Sequence, residues 1–392
     1  MRAAALVGLA SLVILAAQIN RTAFHGDEGS WISAGVYYTS LIERRDFALD
    51  SWTCDACGPW GSLNQQLGKI LVGAPAKLAA DASGKPYTLR FYHFENSYEQ
   101  NVAEDRVPPA EMLTASRLAS AAFGAICCVA LFLLVRRELG PTAAVIATAL
   151  LLANPLFRDL ATRAMTDVPY LAFLLVGFVV GGRAAEARGR LATSAACGLL
   201  GGLACSIKVT GILIAGGYFG ALLVLGAGQD WRTVALRLSV FLACALAVVY
   251  ALNPVFWHAP LEFPALFGRW REYMAHQRAI GFGDWTGPRL LVIPARLAFL
   301  ASPVAFAWPL AVAGVALACS RSVRSPLLVA LAINAALVFG FLDLNWERYY
   351  LPTVVLLQPF AALALVTAAK ALARLVRAVP SSQPARRSRA AE

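Results

Sequence analysis

Long apolar runs alternate with short polar breaks over most of the chain, and the runs reach the length that crosses a bilayer rather than the length that fills a water-soluble core. A spanning helix takes about 17 to 25 apolar residues. Runs of this kind lie near 3–20, 113–135, 142–157, 168–182, 191–207, 209–228, 233–254, 292–318, 326–343 and 351–373, the third to sixth being short. They predict an all-α polytopic membrane protein with about ten transmembrane helices. Two longer polar stretches interrupt the pattern, at about 21–112 and 255–290, and long loops on a compact core are where function tends to sit.

In the first loop, Trp31, Ala34, Tyr38, Leu41 and Ile42 recur at helical spacing, as do Leu67, Ile70, Leu71, Ala74 and Leu78. Both sets predict short amphipathic helices lying in the membrane interface, the second bent at Pro75 because proline removes a helical hydrogen bond. Phe263, Leu266, Phe267, Trp270 and Met274 repeat the theme in the second loop. The expected organisation is one transmembrane domain over 1–378 and a disordered basic cytoplasmic tail over 379–392, rich in Ser, Pro, Ala and Arg.

Composition agrees with this class: 59% of residues are hydrophobic, 15% are charged and the mean hydropathy is +0.62, far from the balance of a soluble domain. The formal net charge of +11 then needs a cause. With the N-terminus inside, the inner segments hold Arg2, Arg136, Arg137, Arg183, Arg188, Arg190, Arg232, Arg237, Arg321, Arg324, Lys370 and the basic residues of the tail from Arg374 on. These sixteen cations face only four acids there, a net +12, whereas the outer segments carry a net −1. Short cytoplasmic loops concentrate Lys and Arg, so the excess is a topology signal, and nucleic acid is not an expected partner. The first run could instead be a cleaved signal peptide, at the cost of an odd number of spans.

Six of the eight cysteines lie in or beside apolar runs and read as packing residues. Cys54 and Cys57 stand in the outer loop, where a local disulfide, free thiols, or metal or redox chemistry are all open. The chain shows no internal repeat, no Gly-rich phosphate loop, no Gly-x-Ser-x-Gly and no His-Glu-x-x-His.

Ionisable residues gather at one face. Asp27 and Glu28 directly follow the first run. Arg158 to Asp167, Lys208 in Cys205-Ser-Ile-Lys-Val-Thr-Gly211, and Asn345-Trp-Glu-Arg-Tyr-Tyr350 all fall at outer helix ends. Charges near hydrocarbon are costly unless paired or solvated, so these groups are expected to crowd around one cavity mouth. Adjacent carboxylates there could supply a general base or a metal ligand. Taken singly, Lys208 could also snorkel to the headgroups or pair with an acid, and Arg348 could be an interface anchor.

Six segments in order resemble the GT-C fold of polyprenyl-phosphate-sugar-dependent membrane glycosyltransferases, the protein O-mannosyltransferases and lipid A aminoarabinose transferases. They are Asp27-Glu28, Leu67-Gly-Lys-Ile70, Arg117-Leu-Ala-Ser-Ala-Ala-Phe-Gly124, Arg163-Ala-Met-Thr-Asp167, Gly198 to Gly211 with Lys208, and Arg348-Tyr-Tyr-Leu-Pro352. Asn64-Gln65-Gln66 stands where the family has His-Pro-Pro or Lys-Pro-Pro, and Ser206-Ile207 precede Lys208 where a threonine is usual.

The resemblance implies a donor sugar on a polyprenyl phosphate and a lipid, protein or glycan acceptor. It assigns Asp27 as base, Lys208, Arg348 and Arg163 to the departing phosphate, and Glu28 and Asp167 to the acceptor or to a divalent cation such as Mg or Mn, Glu28 being otherwise only a salt-bridge partner. Lys69 and Tyr349 are further candidates. It places the protein in the cell membrane with both termini cytoplasmic and the site extracytoplasmic. Two other readings remain at this stage: a transporter or flippase of a lipid-linked sugar, and an assembly subunit.

The charge bias yields a direct test of orientation. A green fluorescent protein fused after residue 378 is expected to fluoresce, and alkaline phosphatase fused at the same point to stay inactive; the reverse pattern would invert the topology.

Overall fold

The computed structural model describes residues 2–53, 65–84, 90–186, 191–208, 230–258, 307–321, 326–340 and 346–378, with isolated positions 217, 268, 271, 272 and 275. Every regular element among them is a helix. α1 (Arg2–Ala16) runs into a 3-10 turn at Ile19–Arg21 and is followed by α2 (Gly26–Glu43), α3 (Leu49–Trp52), α4 (Gln66–Ser83) and α5 (Tyr98–Ala103). Next come α6 (Ala110–Leu139), α7 (Pro141–Ala153), α8 (Pro155–Thr162), α9 (Asp167–Glu186), α10 (Leu191–Cys205), α11 (Trp231–Ala251) and α12 (Val255–His258). α13 (Trp308–Arg321), α14 (Pro326–Gly340), a second 3-10 turn at Glu347–Tyr350 and α15 (Leu351–Ala378) complete the order.

Among the described residues, four helical stretches are long and apolar enough to span a membrane: Arg2–Arg21, Ala110–Leu139, Trp231–Ala251 and Glu347–Arg377. α7 and α8 together make a fifth, bent by 67°. The bend has a local cause. Asn154 ends α7 and its side-chain oxygen accepts from the Phe157 amide at 3.1 Å, while Pro155 takes the first position of α8, where no amide hydrogen is needed. α9, α10, α13 and α14 contribute shorter apolar helices. The runs expected near 209–228 and over the first part of 292–318 lie almost wholly outside the described residues, as do Cys54, Cys57, most of the 255–290 loop and the tail over 379–392.

α6 is the central post. It packs against α1, α4, α7 and α9, and its buried Leu131 joins Phe157, Leu171 and Val354 in the main core. Gly140, at φ +93°, makes the sharp reversal from α6 into α7 that a side chain would resist. A second group forms around α15, which packs on α7, α13 and α14, and a third pairs α10 with α9 and α11. Arg237, expected in an inner connection, is fully buried within α11.

The two loop helices form where the spacing predicts them, and α4 continues through Pro75. Their setting differs from the expectation. α2 has no single apolar face in its first half, because every residue from Asp27 to Gly35 is buried. α2 and α4 instead cross with their backbones in contact at Gly35 and Gly73, where a Cβ on Gly35 would overlap Lys69 O and the Gly73 backbone. The segment before α6 is folded back over the start of α2. Asn101 holds it by accepting from His93 N and donating to His93 O and Ser97 O, each at 2.9 Å, and the Tyr92 and Phe94 rings rest on Gly26.

Gly73→Val inserts a branched side chain into this backbone contact, where nothing flexible can yield. The variant is expected to lose about 3 kcal/mol, measured as a lowered thermal midpoint of the protein in detergent; an unchanged midpoint would show that the helices can part freely.

Candidate active site

The site is built from the first turn of α2. His25 caps the helix: its Nδ1 accepts from the Asp27 amide at 3.1 Å, and its own amide donates to Glu28 Oε2 at 3.0 Å. Such a reciprocal cap satisfies two amides that the helix leaves open, and carboxylates in a first turn are favoured by the helix dipole. The cap therefore fixes where Asp27 and Glu28 begin. Because successive helical residues are rotated by about 100°, the two carboxylates leave the helix in different directions.

Glu28 turns inward and is fully buried. Arg117 of α6 grips it side-on, with Nε to Oε1 at 2.8 Å and Nη2 to Oε2 at 2.7 Å. Ala164 N, in the turn between α8 and α9, donates to Oε1 at 2.8 Å. With the His25 amide, these donors fill the lone pairs of the carboxylate. Arg117 is equally saturated: Nη1 donates to Ile19 O at 2.7 Å and Thr22 O at 2.8 Å, and Nη2 to Ala23 O at 3.2 Å. One ion pair thus joins α1, α2, α6 and the α8–α9 turn. Of the three roles expected for Glu28, the geometry is that of the salt-bridge partner, since none of its oxygens is left to hold an acceptor or a metal.

Asp27 turns to the other side and meets Arg348, whose Nη1 donates to Asp27 Oδ2 at 2.5 Å. Asp167, the first residue of α9, accepts from Lys208 Nζ on Oδ1 at 2.5 Å. The two pairs are neighbours, for Lys208 lies within Coulombic reach of Asp27 and Arg348, and Arg348 within reach of Asp167. Tyr349 stands between the cations, its ring 5.6 Å from Lys208 Nζ and 5.9 Å from the Arg348 guanidinium. Trp346 stacks on Tyr349 at 5.5 Å and lies 4.3 Å from the Arg348 guanidinium, a cation–π contact that holds the fork in plane. Four segments far apart in sequence thus bring two carboxylates and two cations together.

Both carboxylates are nearly covered, at 8% exposure for Asp27 and 3% for Asp167, while the Lys208 and Arg348 side chains keep 17% each. Asp167 Oδ2 is buried and accepts no hydrogen bond. A buried carboxylate oxygen without a donor is costly, so this atom is suited to receive one from a substrate.

The remaining expected residues stand apart from the cluster. Arg163 is engaged by Asp159 at 2.9 Å, one turn back on α8. Lys69 is fully buried between α2 and α4, donating to Gln66 Oε1 at 3.2 Å with the Tyr38 ring 4.6 Å away. Among the described residues, no three His, Cys, Asp or Glu side chains converge to hold a metal ion. Sequence reasoning missed His25 as a cap and Arg117 as the partner of Glu28. A lone arginine seven residues into an apolar helix was the available signal, since such a charge needs a partner. It also missed Asn253, whose Oδ1 takes the Gln66 amide at 3.4 Å, beside the Leu67 amide bonded to Ser206 O at 3.1 Å; these contacts tie the start of α4 to the segment that carries Lys208.

This arrangement of helices is the fold of the GT-C membrane glycosyltransferases, and the chain is a membrane protein of that architecture. Residues 111–257 match the family described as dolichyl-phosphate-mannose-protein mannosyltransferase. The structure is similar to ArnT from Cupriavidus metallidurans bound to undecaprenyl phosphate, with a TM-score of 0.60 and 16% identity over 97% of this chain and 66% of ArnT. It is also similar to the oligosaccharyltransferase AglB from Archaeoglobus fulgidus in complex with an inhibitory peptide and a dolichol-phosphate, with a TM-score of 0.55 and 14% identity over 97% of this chain and 52% of AglB. The chain thus spans about two thirds of the one and half of the other. Comparison with curated protein sequences finds no match.

Removing one partner of a buried ion pair strands the other charge, at about 3–5 kcal/mol. Arg117→Met is expected to cost that much in thermal stability in detergent. Arg117→Lys, with three donors on a single nitrogen in place of the five-donor fork, is expected to recover less than half. Full stability of Arg117→Met would remove the ion pair from its structural role.

Proposed function

We propose that the protein is a glycosyltransferase that moves a sugar from a polyprenyl-phosphate donor to a lipid, protein or glycan acceptor on the extracytoplasmic face of the cell membrane, with both termini cytoplasmic. The observation that carries the reading is the convergence of Asp27, Asp167, Lys208 and Arg348 in one partly open cluster. The fold supports it, as do the lipid phosphates bound by ArnT and AglB in the similar structures. Neither the sugar nor the acceptor follows from the fold.

The chemistry divides among these residues. Asp27 takes the proton from the acceptor hydroxyl or amine. The acceptor attacks the anomeric carbon as the bond to the phosphate oxygen breaks, and a single displacement inverts the configuration. Lys208 and Arg348 stabilise the phosphate as its second negative charge develops, so the leaving group needs no general acid. Asp167 Oδ2 offers an acceptor site for a hydroxyl or amine hydrogen, and Tyr349 and Trp346 wall the cations.

A panel of labelled polyprenyl-phosphate sugars offered to purified protein with membrane extract tests the activity: one donor is expected to release free polyprenyl phosphate, and no release from any would overturn it. With that donor, Asp27→Asn is expected to bring turnover to background while lipid phosphate still binds. Lys208→Ala is expected to raise the donor KM by about 10- to 150-fold, the loss of one charge-assisted contact worth roughly 1.5–3 kcal/mol; an unchanged KM would return Lys208 to a headgroup anchor or a partner of Asp167 alone.

A further inference from the structure

The two cations assigned to the phosphate are already paired with the two carboxylates assigned to the acceptor. Arg348 holds Asp27, and Lys208 holds Asp167. Among the described residues these four charges cancel, and a donor phosphodiester, with one negative charge, meets no net positive charge from them. An anion brought against a neutral, largely buried cluster gains little unless a cation is released to it. Lys208 contacts a carboxylate that has no further task in the proton transfer. Arg348 contacts the base itself.

From this juxtaposition we propose that the Asp27–Arg348 ion pair is a charge switch: Arg348 is shared between base and phosphate, and the proton that Asp27 receives hands Arg348 to the leaving group. The inference rests on the glycosyltransferase reading and names the regulation of that site.

The charges balance through the step. Before transfer, Asp27 and Asp167 cancel Lys208 and Arg348. As the acceptor oxygen or nitrogen bonds to the anomeric carbon, its proton passes to Asp27, and the electron pair of the breaking bond goes to the phosphate oxygen. The phosphate gains its second negative charge, and the cluster gains one positive charge, at the same moment and in the same place. A neutral Asp27 no longer competes for the guanidinium, so Arg348 turns its Nη1 donor to the phosphate. Deprotonation of the acceptor and departure of the leaving group are thereby coupled through one side chain. The Trp346 and Tyr349 rings, 4.3 Å and 5.9 Å from the guanidinium, limit how far Arg348 can move when it changes partner. The scheme also makes Asp27 a guard against binding of the phosphate alone, because an ionised Asp27 withholds the cation until a proton arrives.

A double-mutant cycle on the binding of product lipid tests the switch, with undecaprenyl phosphate and dolichyl phosphate as probes and the full chain in nanodiscs. Asp27→Asn imitates the protonated base and is expected to bind the lipid phosphate about 10-fold more tightly than wild type. In an Arg348→Gln background the same change is expected to alter affinity by less than about twofold, since no guanidinium is left to release. In an Arg348→Lys background, which keeps a cation at the position, the tightening is expected to return. Equal tightening with and without a cation at 348 would assign the gain to general repulsion and overturn the switch. Absence of tightening in the wild-type background overturns it as well, whether or not Arg348→Gln folds. Failure of both wild type and Asp27→Asn to bind either lipid would overturn the glycosyltransferase reading and the switch with it, so the two failures are told apart by the first two measurements.

Discussion

A fully buried carboxylate gripped on both oxygens by a fully saturated guanidinium is the constraint on which the rest of the structure depends. Glu28 and Arg117 leave no donor or acceptor between them unused. The Coulombic gain of such a pair is largely spent on stripping both groups of water. What it supplies is registry: the 3-10 turn after α1, the start of α2, the N-terminal part of α6 and the α8–α9 turn can meet in only one way if all of these hydrogen bonds are to form. Asp27 is the residue just before Glu28, and its place in space is a consequence.

The site shows a second use of the same chemistry with the opposite outcome. Asp27–Arg348 and Asp167–Lys208 are also ion pairs, yet both cations keep some exposure and one carboxylate oxygen has no donor. Burial and full satisfaction leave the inner pair no open donor or acceptor, whereas the outer pairs keep unused hydrogen-bonding capacity. Two adjacent acids on one helical turn are thereby given different work by nothing more than the direction in which each leaves the helix.

The ionisable corners of the site were legible from the chain, because Asp27, Asp167, Lys208 and Arg348 each stand at the end of an apolar run, where a charge is expensive. The division between Asp27 and Glu28 was not. Adjacent carboxylates look alike in sequence, and the partner that separates them lies 89 residues away in α6. Arg163 pairs with Asp159 and Lys69 donates to Gln66, contacts with near neighbours that their position in the chain did not indicate. The helical spacing of the first loop placed α2 and α4 correctly but could not foresee burial on every side of α2, which comes from α4, α6 and the folded segment around Asn101. The bend at Asn154 was written in the residues as a cap followed by proline, yet the apolar run through it read as continuous.

The glycine crossing of α2 and α4 has a consequence for the site. Two helices whose main chains touch at Gly35 and Gly73 have no intervening side chains to act as bearings, so they cannot slide or roll without forcing atoms together. They behave as a fixed jamb. Asp27, on α2, belongs to that fixed part of the site. Arg348 reaches it from a separate element, the short turn at Glu347–Tyr350 that leads into α15.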